Sequence, residues 1–290
     1  MFEQQIDLIC RILKKEKKDI SDISLVKGGM TNHSITFKCE NKKYIFRIPG
    51  EGTEHLINRN NEGAVYDVIQ DKELSNPIVF FDSNTGYKIT EYIEDARVCN
   101  PESQTDVARC MQRLREFHEM KLKVEHEFDL FGQIQFYEDL RQGRTSIYPD
   151  YEETKKNIFS LQQYIQRMDK EKVLCHIDAV ADNFLLTKDK VYMIDWEYAA
   201  MQDPHLDIAM FCIYSSFDKE GIDEIIDCYF KGKCPKEIRT KIYCYIAIAG
   251  LLWSNWCEYK SILGIEFGEY AVNQYRYAKE FYQIAMDSMK

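Results

Sequence analysis

The chain lacks an excess of positive charge. Its 38 lysine and arginine residues are outnumbered by 48 aspartate and glutamate residues, and the formal net charge is −10. Nucleic acids and anionic membranes bind basic surfaces, so this balance argues against both as partners. Charge alone favours an ordinary acidic protein, and it is also compatible with a cationic small-molecule substrate.

The chain also lacks the sequence patterns of zinc-binding, secreted and membrane-spanning proteins. None of its ten cysteines forms a CxxC pair, which argues against a zinc site. Several cysteines lie in apolar segments such as AMFCIYS, and reduced thiols of this kind are typical of cytoplasmic proteins. The first residues show neither the apolar core nor the cleavage site of a signal peptide. The longest apolar run, residues 242–253, is too short to span a bilayer and predicts a buried helix.

Strand patterns fill the first third of the chain. In YIFRI, Tyr44, Phe46 and Ile48 alternate with Ile45 and Arg47, which predicts a strand with two distinct faces. Three predicted strands, from ISLVKGG to KKYIFRIPG, precede a predicted helix in HLINRNNEGAVYDVIQ. Two further strands, PIVFFD and YKITEYIED, flank the turn SNTG.

Helical patterns dominate after about residue 95. Apolar stripes at helical spacing recur over 101–117, 151–169, 236–260 and 266–289. The dipeptides Asn-Pro at 100–101 and Asp-Pro at 203–204 place a capping side chain before a proline and predict helix starts. Strands first and helices later predict an α+β protein, with a small antiparallel sheet lobe over 1–94 and a larger, mainly helical lobe over 95–290.

The segment CHIDAVADNFL, followed by VYMID, carries the clearest chemical signal. Asp178 and Asn183 lie five residues apart ahead of a predicted strand, and Asp195 falls at the end of the next one. Phosphoryl transfer needs magnesium to bridge phosphate oxygens and a carboxylate to orient the attacking hydroxyl. Asp195 and Asn183 offer the oxygen ligands that Mg²⁺ prefers, and Asp178 suits the hydroxyl. Alternatively, Asp178 caps a turn and Asn183 satisfies backbone groups.

These residues resemble the catalytic loop and metal-binding motif of the choline/ethanolamine kinase and aminoglycoside phosphotransferase group, and the chain looks most like the bacterial choline kinases. The resemblance extends from GGMTN and YIFRIPGEGTE to LLWSNWCEYKSILGIEFGEY. It implies the two-lobed protein-kinase-like fold, ATP and Mg²⁺ as nucleotide and metal, and choline as the substrate. The oligomeric state stays open, a homodimer included.

The resemblance also assigns nucleotide-binding roles in the first lobe. Gly29, Thr31 and Asn32 of the turn GGMTN would cover the ATP phosphates. Arg47 stands on the third strand, where protein kinases place a lysine, and Glu62 of the following helix would pair with it. Without the resemblance, a surface salt bridge would be the favoured interpretation of that pair.

Four further positions take roles from the resemblance. Backbone groups around Glu91 and Ile93 would hydrogen-bond adenine. Asp207 would hold the catalytic loop by accepting bonds from backbone N–H groups. Glu197 lies two residues after Asp195, so on a strand both side chains would point the same way. Glu197 would then contact a second magnesium or the cationic substrate, or it would make a structural hydrogen bond.

Choline presents a quaternary ammonium that has no N–H group, so its recognition relies on aromatic faces and nearby carboxylates. Trp253 and Trp256 are three residues apart on a predicted helix and share a face. By resemblance they form a cation-binding box, with Tyr270 as the third wall. From the residues alone, these aromatics are explained more simply as ordinary core.

Several other interpretations stay open. A kinase for ethanolamine, an aminoglycoside or thiamine would keep the same phosphoryl-transfer residues. Aminoglycosides carry several ammonium groups and usually need a row of acidic residues, so the paired tryptophans favour choline. A catalytically inactive kinase fold that acts as a binding module is a further alternative. Such proteins usually lose the catalytic aspartate or a metal ligand, whereas this chain keeps Asp178, Asn183 and Asp195.

Overall fold

A computed structural model describes residues 2–26, 32–50, 52–53, 56–168 and 171–290. The pattern of internal contacts divides the chain into two units, Met1–Arg97 with Leu185–Tyr198 and Val98–Phe184 with Ala199–Lys290. This division differs from the sequence-based one mainly in the placement of residues 185–198. The lobe boundary after residue 94 stays a prediction.

The first unit contains a five-stranded antiparallel sheet. Its strands are β1 (Ile20–Leu25), β2 (Asn32–Cys39), β3 (Lys42–Pro49), β4 (Ile78–Phe81) and β5 (Lys88–Glu91). They lie in the order β1-β2-β3-β5-β4. The other elements of this unit are α1 (Glu3–Leu13), α2 (Arg59–Ile69) and β9 (Val191–Met193). Two short strands, β6 (Arg97–Val98) and β8 (Phe184–Leu186), lie where the division between the units falls.

Alternation along the sheet strands separates an apolar face from a polar one. Ile35, Phe37 and Phe46 are fully or almost fully buried in one apolar cluster that also includes Ile9 of α1. Full burial of a large apolar side chain stabilises the fold by about 1.5–3 kcal/mol. Arg47 faces away from this cluster, as the pattern YIFRI predicts, yet its side chain is also buried. The second face of β3 therefore carries a buried charge at Arg47.

The second unit is mainly helical. Its helices are α3 (Gln104–Glu119), α4 (Leu130–Asp139), α5 (Tyr151–Arg167), α6 (His205–Tyr214), α7 (Lys219–Phe230), α8 (Lys236–Ile262) and α9 (Glu269–Ser288). Two short strands, β7 (Val173–Cys175) and β10 (Ala200–Gln202), also belong to it. Strands β7 and β10 pair in antiparallel fashion. A short 3₁₀ helix covers Ala181–Asn183, between β7 and β8. The sheet-containing first unit and the helical second unit together confirm the predicted α+β class.

Helix α8 forms the centre of the second unit. Residues 242–253 are buried throughout, which confirms the buried helix predicted from this apolar run. Gly250 lets α9 approach closely, because a Cβ there would lie 2.6 Å from the carbonyl oxygen of Gln274 and 2.7 Å from the nitrogen of Ala278. Within the described residues, every helix falls short of the length or apolarity that a bilayer crossing requires.

Two helices begin later than the sequence patterns suggested. Helix α2 begins at Arg59, inside the segment HLINRNNEGAVYDVIQ that predicted it, and follows Asn58, whose side chain accepts hydrogen bonds from two backbone N–H groups of the first turn. The predicted start at Asn100 is wrong, because α3 is capped by Ser103, whose hydroxyl accepts from the N–H of Asp106 over 3.3 Å. The side chain of Asn100 instead accepts from the N–H two residues later, at 3.1 Å, and closes a local turn.

The helix start predicted from the Asp-Pro dipeptide at 203–204 is confirmed. Helix α6 begins at His205, directly after Pro204. The side chain of Asp203 accepts from the N–H of His205 over 3.0 Å. A short acidic side chain that binds an N–H of the first turn satisfies one of the groups that a helix start leaves unpaired.

Candidate active site

Arg47 on β3 and Glu62 on α2 form a buried ion pair. Arg47 is 4% exposed and Glu62 is 1% exposed. Nη1 and Nη2 of Arg47 donate to the two carboxylate oxygens of Glu62 over 2.6 and 3.1 Å, and Nη2 also donates to the carbonyl of Gly86 over 3.0 Å. Removing one partner of such a pair costs about 3–5 kcal/mol. The pair inferred from the resemblance is present, and its role toward a nucleotide stays a prediction.

Glu62 is the shared partner of several polar groups. Arg59 Nη1 donates to its carboxylate over 2.6 Å, and the Tyr66 hydroxyl donates over 2.5 Å. Burial acts to raise the pKa of Glu62, but the charges of Arg47 and Lys88 outweigh it and lower the pKa to about 2. Lys88 donates to the Tyr66 hydroxyl over 2.6 Å, and burial together with the Arg47 charge lowers the pKa of Lys88 to about 8. Glu62 is therefore ionised at neutral pH.

Asp195 and Glu197 follow β9 and approach Arg47. The strand ends at Met193 and Asp195 has a φ of +65°, so the prediction that Asp195 ends a strand and shares a strand face with Glu197 is wrong. A residue in the left-handed region interrupts the two-residue alternation of a strand. Asp195 Oδ1 and Glu197 Oε2 nevertheless each lie 3.6 Å from Arg47 Nη1.

Glu197 is held by neutral and cationic donors. Arg59 Nη1 donates to Glu197 Oε2 over 2.9 Å, and Asn32 Nδ2 donates to the same oxygen over 3.1 Å. Burial, followed by the charge of Asp195, raises the pKa of Glu197. The structural hydrogen bonds expected as one alternative for Glu197 are therefore present. A contact between Glu197 and the substrate stays a prediction.

The donors at Asp195 fit a hard divalent cation. Within the described ranges, Oδ1 of Asp195 is buried and has no hydrogen-bond partner, although the side chain as a whole is 30% exposed. Arg47 Nη1 lies 3.6 Å away and forms an ion pair with this oxygen but no hydrogen bond, so the oxygen keeps its capacity to bind a metal ion. Magnesium prefers carboxylate and amide oxygens. Asp195 therefore fits the metal-binding role predicted from the sequence.

Asp178 and Asn183 are joined within the catalytic loop. Asn183 Nδ2 donates to the backbone carbonyl of Asp178 over 2.8 Å and to Asp178 Oδ2 over 2.9 Å. Both bonds use the amide nitrogen, so the amide oxygen of Asn183 remains as an acceptor for another group. The alternative in which Asn183 satisfies backbone groups is thus partly correct, and a ligand role for the oxygen stays a prediction.

Asp207 anchors the backbone of the same loop. Its carboxylate accepts the N–H groups of His176 and Ile177, each over 2.8 Å. His118 Nε2 lies 2.9 Å from the same carboxylate, and Asp207 is completely buried. Ile177 has a φ of +67°, which costs a β-branched residue roughly 1–3 kcal/mol. The loop-anchoring role predicted for Asp207 is confirmed.

Trp253, Trp256 and Tyr270 belong to one chain of aromatic rings in the second unit. The ring centroids of Trp253 and Trp256 lie 5.7 Å apart in an edge-to-face arrangement. Phe267 lies 4.9 Å from Trp256 and 6.3 Å from Tyr270, and Tyr214 lies 5.8 Å from Tyr270. The two tryptophans are 7% and 3% exposed. We call these five residues the aromatic cluster.

One end of the aromatic cluster is electrostatically linked to the catalytic loop. Burial raises the pKa of Tyr270 well above its ordinary value, and the negative charge of Asp178 contributes to the rise. The Tyr214 hydroxyl donates to Asp182 Oδ2 over 2.6 Å. Two loop carboxylates therefore influence the tyrosine end of the cluster, which is the polarity that a cationic ligand favours.

The other end of the aromatic cluster already has a cation nearby. Lys260 is 1% exposed, and its Nζ lies 5.7 Å from the ring centroid of Trp256. Trp256 therefore already has a cationic neighbour inside the protein.

The remaining nucleotide-binding positions are only partly described. Gly29 and Thr31 lie outside the described residues. Glu91 ends β5, its N–H donates to the carbonyl of Pro77 over 2.9 Å, and its own carbonyl accepts from Asn76 Nδ2 over 3.1 Å. Ile93 follows the strand and takes no part in these bonds. An adenine contact of the backbone at Glu91 or Ile93 stays a prediction.

Comparison with known proteins agrees with these features. Residues 23–228 match the family model described as choline/ethanolamine kinase. The chain belongs to the choline/ethanolamine kinase family. It is 26% identical over 260 residues to Protein LicA of Haemophilus influenzae, and the match covers 85% of this chain and 76% of that protein.

Solved structures of family members have the same fold. The choline kinase LicA from Streptococcus pneumoniae is similar with a TM-score of 0.84 at 30% identity, over 98% of this chain and 99% of that one. LicA in complex with AMP gives a TM-score of 0.82 at 30% identity, again over 98% and 99% of the two chains. Membership in the choline/ethanolamine kinase family confirms the predicted kinase-like fold and the predicted enzyme class, a phosphotransferase.

Two residues of this kinase site were missed from the sequence. Arg59 precedes Glu62 by three residues on a helix, a spacing that places both on one face and could have indicated their ion pair. Phe267 lies within the motif IEFG, which contributed to the resemblance, but its place between Trp256 and Tyr270 depends on how α8 and α9 pack. The packing of Phe267 between these two rings is therefore seen only in the structure.

Proposed function

We propose that this chain is an ATP-dependent choline kinase, which transfers the γ-phosphoryl group of ATP to the choline hydroxyl and yields phosphocholine and ADP. The observation that carries the proposal is the link between the aromatic cluster and the catalytic loop. The Tyr214 hydroxyl donates to Asp182 Oδ2 over 2.6 Å. Burial raises the pKa of Tyr270, and the charge of Asp178 contributes to the rise. Aromatic faces beside carboxylates suit a quaternary ammonium whose hydroxyl must reach a base.

Asp178 is the group that orients and deprotonates the choline hydroxyl. The amide of Asn183 holds one carboxylate oxygen of Asp178, and this positioned carboxylate is the proposed acceptor of the hydroxyl proton. Asp207 fixes the backbone on which Asp178 stands, through the N–H groups of the two preceding residues. Holding the hydroxyl in line with the phosphoryl group supplies much of the rate enhancement in reactions of this class.

Asp195 and the amide oxygen of Asn183 are the proposed magnesium ligands. Bound Mg²⁺ supplies charge neutralisation of the phosphate oxygens. The resemblance places Asn32 and Arg47 near the phosphates, and Glu62 holds the Arg47 guanidinium. LicA, a relative of this chain, has been solved in complex with AMP, which supports an adenine nucleotide as the second substrate.

The proposed enzyme acts on a small molecule and works in the cytoplasm. The ten cysteines are thiols that form no disulfide, which is compatible with a reducing compartment. Ethanolamine is the nearest alternative acceptor, since the family name includes it. An aminoglycoside, thiamine or another small hydroxylated compound, and an inactive binding module, are the remaining alternatives.

The first test is ADP release from ATP and magnesium with choline, ethanolamine and an aminoglycoside as separate acceptors. We expect turnover with choline and a much lower kcat/KM with the others. The variant Asp178→Asn should lose most turnover and keep its fold by circular dichroism. Asp189→Asn changes an exposed aspartate after β8 and is the matched control, which should stay near wild type.

Each alternative outcome has a defined meaning. Turnover with ethanolamine or the aminoglycoside alone would retain the phosphoryl-transfer residues and refute choline as the substrate. An Asp178→Asn variant with near wild-type kcat would remove Asp178 from catalysis. If the folded wild type releases no ADP with any acceptor, the result would favour the binding-module alternative.

A further inference from the structure

The donor groups of Arg47 are largely committed within the protein. Both terminal nitrogens bind Glu62, and Nη2 also binds the carbonyl of Gly86. Nη1 also forms ion pairs with the carboxylates of Asp195 and Glu197, whose oxygens lie 3.6 Å away. Of the five N–H donors of the guanidinium, three are hydrogen-bonded, one belongs to this ion-paired Nη1, and the Nε–H is buried and lacks a partner within the described residues. Arg47 is therefore a poor candidate for two-point binding of a phosphate.

Arg59 has a different distribution of bonds. Its Nη1 alone binds both Glu62 and Glu197, over 2.6 and 2.9 Å. Its Nη2 is buried and, in the part of the chain that the structure describes, has no hydrogen-bond partner. The side chain is only 10% exposed. Two N–H groups of a buried cation without acceptors cost free energy, and an anionic ligand would recover it.

The start of α2 does not supply the anion donors itself. The side chain of Asn58 accepts the N–H groups of Asn60 and Asn61 over 3.0 and 3.3 Å, and its carbonyl accepts the N–H of Glu62. The first turn of the helix is thus already capped by the protein. Among the described residues around Glu62, the buried side-chain donors without a hydrogen bond are Nη2 of Arg59 and Nε of Arg47, and only Nη2 offers two N–H groups.

The Arg59 side chain is held in place by its surroundings. It packs against the turn between β4 and β5, where a Cβ added to Gly86 would lie 2.8 Å from Arg59 Nε. Glu197, which binds Arg59, also binds Asn32, the last residue of the predicted phosphate-binding turn GGMTN. The guanidinium is therefore preorganised beside the start of β2, with its bond to Glu197 fixing one edge and leaving Nη2 for a ligand.

We propose that Arg59 is the guanidinium that binds a phosphate oxyanion of the nucleotide, and that Arg47 is a positioning residue that fixes α2 and the acidic groups around it. This assignment rests on the proposed function, because it presumes a nucleotide substrate. It goes beyond that function by moving the main phosphate contact from the third strand to the first turn of α2. A planar guanidinium suits phosphate recognition better than an ammonium, so Arg59→Lys should be only a partial substitute.

The test measures binding, apart from catalysis, by titration calorimetry of the wild type, Arg59→Gln and Arg59→Lys with adenosine and with ADP. We expect Arg59→Gln to weaken ADP binding by about 10- to 100-fold and to leave adenosine binding unchanged, since adenosine has no phosphate. The ADP affinity of Arg59→Lys should fall between those of the wild type and Arg59→Gln. Arg11→Gln removes an arginine from α1 in the same unit and is the matched control.

The kinetic readout separates phosphate binding from a purely structural role. Loss of a phosphate contact should raise the KM for ATP and leave the KM for choline unchanged, whereas general loosening of α2 would lower adenosine affinity and urea stability together. Unchanged ADP affinity in a folded Arg59→Gln variant overturns the proposal. If phosphocholine binding weakens and ADP binding does not, the guanidinium belongs to the product phosphate, and the proposal is likewise overturned.

The failure of this inference is distinguishable from failure of the proposed function. A wild type that turns over choline, with ADP affinity insensitive to Arg59, refutes only the role of Arg59. A folded wild type that binds neither ADP nor ATP refutes both. If Arg59→Gln fails to fold, Arg59→Lys carries the test, because it retains the positive charge between Glu62 and Glu197.

Discussion

Replacing Asp207 with alanine should damage stability and catalysis together. The substitution removes the acceptor of two buried backbone N–H groups, those of His176 and Ile177, and also the partner of His118. Each buried N–H left without an acceptor costs about 1–3 kcal/mol. Ile177 would lose the bond that holds its φ of +67° and would relax toward an ordinary conformation.

The expected loss of unfolding free energy is about 3–5 kcal/mol, after allowing part of the cost to be recovered by that relaxation. This is a large fraction of the typical 5–15 kcal/mol stability of a protein. Urea denaturation followed by circular dichroism measures it directly. Turnover should fall even in the folded fraction, because Asp178 follows Ile177 and its carboxylate would no longer be held in one place.

Two further variants sharpen the test of Asp207. Asp207→Asn is nearly isosteric, but its amide nitrogen cannot accept one of the two N–H groups, so its stability should fall between wild type and Asp207→Ala. Asp218→Ala is the control, since Asp218 is an exposed cap that accepts one N–H over 2.9 Å and should cost about 1 kcal/mol. A loss below about 1 kcal/mol for Asp207→Ala would refute the anchoring argument.

Three other predictions follow from the packing and charge of the two units. Gly250→Ala should destabilise the second unit by more than about 2 kcal/mol in urea, because the clashing atoms are backbone, whereas Gly132→Ala meets only a rotatable carboxylate and should be nearly neutral. Trp256→Ala should raise the KM for choline and leave the KM for ATP unchanged, and an unchanged KM for choline would remove it from the substrate site. The pKa of Lys88 is lowered from 10.5 to about 8 in the folded chain. Between pH about 8 and 10.5, the unfolded chain therefore binds this proton more readily than the folded chain does. The stability of the wild type relative to Lys88→Met should therefore rise with pH across that window, and a flat difference would contradict the lowered pKa.

Local periodicity was sufficient to predict most elements. The alternation in YIFRI predicted β3 and placed Arg47 opposite Phe46, because a strand exposes successive side chains on opposite faces. The apolar run in α8 predicted a buried helix, since no polar face interrupts it. Helix starts were less certain, because Asn100 and Ser103 are both capping residues and only the actual backbone shows which one caps.

The candidate site was predictable only where its residues are close in sequence. Asp178 and Asn183 lie five residues apart, and their hydrogen bond follows from the loop itself. The bond between Arg59 and Glu197 joins positions separated by 138 residues, and no local pattern indicates it. The left-handed backbone of Asp195 also has no local signal, and it overturned an argument based on strand alternation.

The charge balance in the first unit gives a physical reason for a metal requirement. Arg47, Arg59 and Lys88 are formally balanced by Glu62, Asp195 and Glu197, so these side chains have no excess of positive charge to offer an ATP polyphosphate. Phosphate binding by Arg59 would still leave most of the nucleotide charge uncompensated. Oδ1 of Asp195, which is buried without a hydrogen bond, is the proposed metal ligand in this unit. The affinity for ATP should therefore depend steeply on magnesium in the wild type and only weakly in Asp195→Asn, and equal dependence in both would refute this account of the charge cluster.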